Sequence, residues 1–202
     1  MLSRRTRGFS LVELMVVITL ILIVTGFSVM TIQPSLKQNH VTEAYNQTLM
    51  ALRQARDTSV AQRQIYFVTL SNAAVPNSIT ITQGSTGTVT ATYFLPPDVA
   101  FAAVAGIPVS QGAFPTTPDA FGVGATAIDF DQNIVGGVKN VIYFYPDGSA
   151  EDVVGNVNNG VVYIAMPGVV NTSRAITLWG TTGRLRGWRI NRSGANWYWR
   201  QQ

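Results

Sequence analysis

The last twenty-nine residues, RAITLWGTTGRLRGWRINRSGANWYWRQQ, hold six arginines, all four tryptophans of the chain and Tyr198, and they contain no acid. Guanidinium forks bind phosphate oxygens in pairs, and indole rings stack on bases or on guanidinium planes. Arg184, Arg186, Arg189 and Arg192, supported by Trp188 and Trp197, are therefore candidates to contact a nucleic acid, as a single strand or along a duplex backbone. The same composition also describes a solvated face, a membrane-proximal patch or a subunit interface anchored by tryptophans.

A second chemical feature lies at the other end, in RGFSLVELMVVITLILIVTGFSVM, residues 7–30. Glu13 stands alone at the start of an apolar run, behind Arg4, Arg5 and Arg7. A carboxylate in hydrocarbon is costly and usually marks a pairing function. The other reading is interfacial: near a helix start the group sits at headgroup level and meets the positive end of the macrodipole.

Other motifs begin well and fail. His40 is the only histidine, cysteine is absent, and no serine has a nucleophile setting, so no hydrolase or transferase constellation is present in the sequence. His40 is expected on an exposed helical stalk. The segment DFDQNIVGGVKN spaces Asp129, Asp131 and Asn133 like a calcium loop. It then has Ile134 where glycine is needed and Asn140 where a bidentate glutamate is needed. GVGATA, Gly122 to Ala127, imitates a dinucleotide fingerprint without the strand before it or the helix after it. No metal and no cofactor is expected.

The elements that must position these residues follow from pattern. At 202 residues, 47% apolar and 12% charged, the chain folds rather than staying disordered. Leu14 to Met30 is a charge-free stretch of seventeen residues; Leu11, Val12, Thr31 and Ile32 extend it to about the twenty that span a bilayer core. A cleaved secretory signal would be shorter and would end in small residues, not in TIQPSLKQ. The arginines ahead of it place that end in the cytoplasm and the remainder outside. Pro34 is expected to kink or restart the helix. Leu36, Val41, Ala44, Tyr45, Thr48, Leu49, Leu52, Ala55 and Val60 then recur at helical spacing to about Arg63. If continuous from Phe9, the helix is roughly 80 Å long at 1.5 Å per residue.

Beyond Arg63 the texture changes to IYFVTL, SITITQ, TVTATYFL, AIDFDQ, VIYFYPDGS, GVVYIAM and RAITLWG. These β-branched and aromatic runs, separated by Gly, Pro, Asn and Asp, predict six to eight strands, with Asp147-Gly148 as a turn between two of them. The segment from Pro96 to Gly124 predicts an irregular excursion. The fold class is α+β: a long N-terminal hydrophobic helix with a β-rich head.

The residues RGFSLVELMVVITL resemble the class III signal of type IV pilins and type II secretion pseudopilins, with a basic leader, Gly8, Phe9 and Glu13 five places after the glycine. The resemblance implies a leader of residues 1–8, removed by a prepilin peptidase between Gly8 and Phe9, with methylation of the new Phe9 terminus. It also implies that Glu13 pairs with the terminal amine of a neighbouring subunit during assembly. The implied layout is a transmembrane or filament-core half-helix over 9–33, an amphipathic half over 34–63 and a periplasmic head over 64–202. The implied location is the bacterial inner membrane, crossed once, before extraction into a filament. LMALRQARDTSVAQRQ, FYPDGSAEDV and RAITLWGTTGRLRGW resemble the GspH/FimT group of minor pilins and pseudopilins. In FimT-like members the pattern formed here by Gly183, Arg184, Leu185 and Arg186 is associated with DNA binding. The implied partners are other pilin or pseudopilin subunits, the prepilin peptidase and the inner-membrane assembly platform, with DNA as the partner under the alternative reading.

Overall fold

A computed structural model describes residues 9–109, 116–122, 126–130 and 139–202, apart from the side chains of 28–35. The chain divides into two compact units, residues 1–38 and 39–202. The helix α1 covers Leu11–Gln62, and helical backbone continues past Pro34, so the restart expected there does not occur.

In the first unit the apolar side chains of the described helix, Leu11 through Phe27, are exposed on all sides. No described residue of this unit covers them.

In the second unit α1 buries one stripe: Val41, Ala44, Tyr45, Thr48, Ala51, Leu52, Ala55 and Ser59. This 3.6-residue periodicity is the one that the sequence carried. Leu36 and Val60, which fitted the same spacing, are exposed instead because they lie at the margins of the covered stretch.

Eleven strands occur among the described residues: β1 Tyr66–Ser71, β2 Ser78–Gln83, β3 Val89–Phe94, β4 Ala100–Phe101, β5 Ile128–Asp129, β6 Val141–Phe144, β7 Ala150–Glu151, β8 Gly160–Ala165, β9 Arg174–Trp179, β10 Arg184–Ser193 and β11 Asn196–Gln201. The expected six to eight undercounts them. Two-residue strands such as β4 and β7 carry no period of their own, and the arginines and glycine of β10 interrupt a β-propensity signal that cross-strand packing overrides. Two antiparallel sheets result, one in the order β3-β2-β1-β6-β7 and one in the order β11-β10-β9-β8-β4, with β5 also on β8.

The larger hydrophobic cluster joins the helical stripe to residues of both sheets, among them Val68, Ile79, Ile142, Phe144, Ile164 and Ile176. A second cluster gathers Ile107, Val161, Tyr163, Ala175 and Ile190, with Trp188, Trp197 and Trp199 packed against it. β8 is consequently buried along its whole length, since its alternate residues feed different clusters. The turn expected at Asp147-Gly148 joins β6 to β7. Gly148 takes φ 85°, and the Ser149 amide and hydroxyl both donate to Asp147 Oδ1. Those bonds hold the Asp147 carboxyl below its usual range.

The segment expected to be an irregular excursion contributes β4 and a short 3-10 turn at Pro118–Ala120. Its only charged residues are Asp98 and Asp119. Each ties it to a distant base. Asp98 meets His40 Nδ1 at 2.9 Å, so His40, whose side chain is 44% exposed, is tied to the head by a partner that the sequence did not show. Asp119 meets Arg186 on β10.

Candidate functional site

Two regions carry the predicted site residues. In the first unit Gly8 lies outside the described residues, Phe9 is exposed, and Glu13 sits in the first turn of α1 with its side chain exposed. There the Leu14 amide donates to the Ser10 carbonyl at 3.1 Å. Among the described residues no helix is long and apolar enough to cross a membrane. The span expected over Leu14 to Met30 runs into side chains that lie outside the description.

The second region is the terminal hairpin, β10 and β11. Strand alternation sends Arg186, Trp188, Ile190 and Arg192 to one face and Leu185, Gly187 and Arg189 to the other. The two faces pack differently: Leu185 lies against the larger cluster, whereas Trp188 and Ile190 belong to the second one.

Glycines decide how closely this hairpin approaches its neighbours. Gly183 has φ 59°, in the left-handed region, and a Cβ there would collide with the Gly148 carbonyl and the Arg56 side chain. A Cβ on Gly187 would overlap the Tyr45 hydroxyl of α1. The G-R-x-R glycine thus has a structural reason of its own.

On the aromatic face Asp119 acts as a three-way acceptor. Arg186 donates to Oδ1 at 2.6 Å, while the Thr177 hydroxyl and the Trp179 indole donate to Oδ2 at 2.5 and 3.0 Å. The Asp119 side chain is only 6% exposed and that of Arg186 25%. The Arg186 guanidinium also lies over the Trp179 ring at 5.4 Å, and Arg192 lies over Trp197 at the same distance. Trp188 donates to the Thr177 hydroxyl and Trp199 to the Pro108 carbonyl.

On the opposite face Arg189 faces Arg174 of β9 on one side and Arg200 of β11 on the other. Arg184 belongs to a third setting, an open groove of about 510 Å³ that it lines with Arg53, Arg56 and Asp57. Arg56 donates to the carbonyls of Gly148 and Thr182, which fixes the groove floor.

The single basic and aromatic patch expected of the tail is therefore divided. Arg186, Trp188, Arg192 and Trp197 share one face, Arg189 is on the other, and Arg184 joins helix residues. Arg53 and Arg56 escaped the sequence reading, although their spacing of three puts them on one helical face. Asp119 escaped it too; its signal is that it is one of two charges in a segment of twenty-nine residues.

The remaining motif residues do little. Asp129 is buried and lies 3.6 Å from Lys139, and residues 131–138, with Asp131 and Asn133, lie outside the description. Among the described residues no group of three metal-ligating side chains occurs. The GVGATA loop falls partly on residues 123–125, also outside the description.

The family defined as the prokaryotic N-terminal methylation motif matches residues 3–29. No curated protein and no solved structure matches the chain. The N-terminal segment thus carries a type IV pilin-like signal on an α+β chain, a signal that implies prepilin peptidase processing and assembly with other pilins.

Proposed function

We propose that the protein is a minor pilin or pseudopilin. In this reading it is cleaved between Gly8 and Phe9, methylated on Phe9, held in the inner membrane with a periplasmic head, and drawn by the assembly platform into a type IV pilus or type II secretion filament. The observation that carries it is the apolar helix from Leu11 to Phe27, exposed on every side with Glu13 in its first turn. A helix apolar all round needs lipid or other helices against it. In either surrounding a lone carboxylate gains from a cationic partner, which the terminal amine of a neighbouring subunit supplies. The protein then works by assembly rather than catalysis, and its basic, aromatic hairpin supports a place at or near the filament tip. Intact mass after expression with a prepilin peptidase tests the first step. Loss of residues 1–8 with gain of one methyl group is expected, and Gly8→Val should keep the leader. A wild-type chain that keeps its leader would overturn the reading.

A second reading is a FimT-like minor pilin that binds DNA for uptake, with Arg184 and Arg186 as leading phosphate contacts and Arg189, Arg192, Trp188 and Trp197 in support. The open groove lined by Arg53, Arg56 and Arg184 favours it, because three guanidiniums there face one carboxylate. Fluorescence anisotropy with labelled DNA across a salt series is the test. Counterion release predicts that replacing both Arg184 and Arg186 by Ala flattens the log–log slope by about two units if both touch phosphates. Absence of binding at low salt removes this reading and leaves assembly in place.

A further inference from the structure

Arg174, Arg189 and Arg200 stand directly opposite one another on β9, β10 and β11, with Arg189 in the middle. Residues paired in this way project from the same face with Cβ atoms about 5 Å apart, and like charges there repel. Three guanidiniums in one row are therefore unfavourable unless something negative joins them.

Among the described residues the chain's own acids do not. Nine of its ten acids are among the described residues, Asp131 being the exception. Asp57, Asp98, Asp119 and Asp129 pair with Arg56, His40, Arg186 and Lys139. Asp147 and Glu151 take the Ser149 hydroxyl, Asp152 caps its own loop, Glu43 accepts from Gln47, and Glu13, the ninth, belongs to the first unit. Among the described residues no ion pair reaches Arg174, Arg189 or Arg200.

Arg174 is the most demanding of the three, being only 5% exposed. Its guanidinium carries five N–H donors, and its two hydrogen bonds, to the Thr172 and Ser173 carbonyls, are both long at 3.4 Å. Burial, and then the neighbouring Arg189, push its pKa down to about 10. The solvent side of the row is a groove of about 310 Å³ lined by Arg189, Asn191, Arg200, Gln201 and Gln202, which adds amide donors to the two exposed guanidiniums.

We propose that the groove between Arg189 and Arg200, with Asn191 at its rim and the buried Arg174 behind Arg189, is a binding site for a phosphate oxyanion. A carboxylate occupies one guanidinium fork. A tetrahedral phosphate, even as a diester, offers two free oxygens pointing in different directions and so can meet both guanidiniums of the groove at once. The oxyanion comes either from free phosphate or from a phospholipid headgroup. This site is separate from the Glu13 assembly reading, and its failure would leave that reading untouched.

The test uses full-length protein in neutral detergent and follows thermal unfolding by tryptophan fluorescence. Sodium phosphate and sodium chloride are compared at matched ionic strength, beside short-chain phosphatidylglycerol and a DNA oligonucleotide. Phosphate should raise Tm saturably over chloride. Arg189→Gln with Arg200→Gln should weaken the apparent affinity by about tenfold or more, since each lost charge-assisted contact is a strong one. The same double variant, without phosphate, should melt at a higher temperature than wild type because the repulsion in the row is relieved. A merely structural pair of arginines would lower it. Phosphate and lipid each acting on the wild type support the site, and their relative affinity names the source. The proposal is overturned if phosphate and lipid match chloride, if the double variant keeps the full response, or if only the oligonucleotide acts.

Discussion

The guanidinium of Arg186 on β10 lies 2.6 Å from the carboxylate of Asp119, a residue 67 positions earlier in the chain. Asp119 itself stands at φ 52°, a left-handed conformation that a non-glycine residue adopts at a cost. The Arg186, Thr177 and Trp179 donors hold it there, so one carboxylate joins the turn at Pro118–Ala120 to β9 and β10. Arg186, one of the arginines expected to contact phosphate, thereby has an anionic partner within the chain.

Asp119→Asn should keep the shape of that partner and remove its charge. With Arg186 three-quarters covered, the loss is expected at about 1–3 kcal/mol of unfolding free energy, measured by urea denaturation. If the hairpin binds DNA through Arg186, the same variant should bind more tightly at low salt, because the competing carboxylate is gone.

Gly187→Ala should destabilise the second unit by about 1–3 kcal/mol, as small-to-large changes in packed sites do. The reason is the Tyr45 hydroxyl, which occupies the space of the new methyl group. Adding Tyr45→Phe should recover part of the loss, and the coupling is read from a double-mutant cycle in urea. Purely additive losses would mean that Tyr45 is not the obstacle.

Tyr163 is buried on β8, and its hydroxyl has no hydrogen-bond partner among the described residues. Burial, and then the Asp129 carboxylate, raise its pKa above the ordinary value near 10. Above about that pH the unfolded chain loses this proton while the folded chain keeps it, so the unfolded state binds fewer protons and stability falls as pH rises. Full stability from this group is present below pH 10. Tyr163→Phe should leave neutral-pH stability unchanged or slightly higher and flatten the decline above pH 10, followed by chemical denaturation from pH 8 to 11.

Glu13→Leu should leave cleavage at Gly8 and membrane retention intact and abolish incorporation into filaments. An amine left without its buried carboxylate costs about 3–5 kcal/mol per contact. Immunoblots of membrane and sheared-filament fractions check this. Normal incorporation of the variant would remove the pairing role.

The sequence by itself determined what depends on short periods and local chemistry. Glu13, five places after Gly8, and the apolar run behind it could be read without coordinates. So could the helical stripe from Val41 to Ala55, since a period of 3.6 is visible in residue types alone. The strands β1, β2, β3, β5, β6, β8 and β9 were legible for the same reason, as was the Asp147-Gly148 turn. What only the tertiary structure decided is which residue stands opposite which. A period of two tells that Arg186 and Arg189 point to different faces once β10 is known to be a strand. It cannot tell that Asp119 waits on one face and Arg174 and Arg200 on the other. His40 beside Asp98, Gly187 beneath Tyr45 and the division of the six arginines into separate settings all rest on contacts between elements far apart in the chain. Burial, charge pairing and steric fit select those contacts together, and no local pattern encodes them.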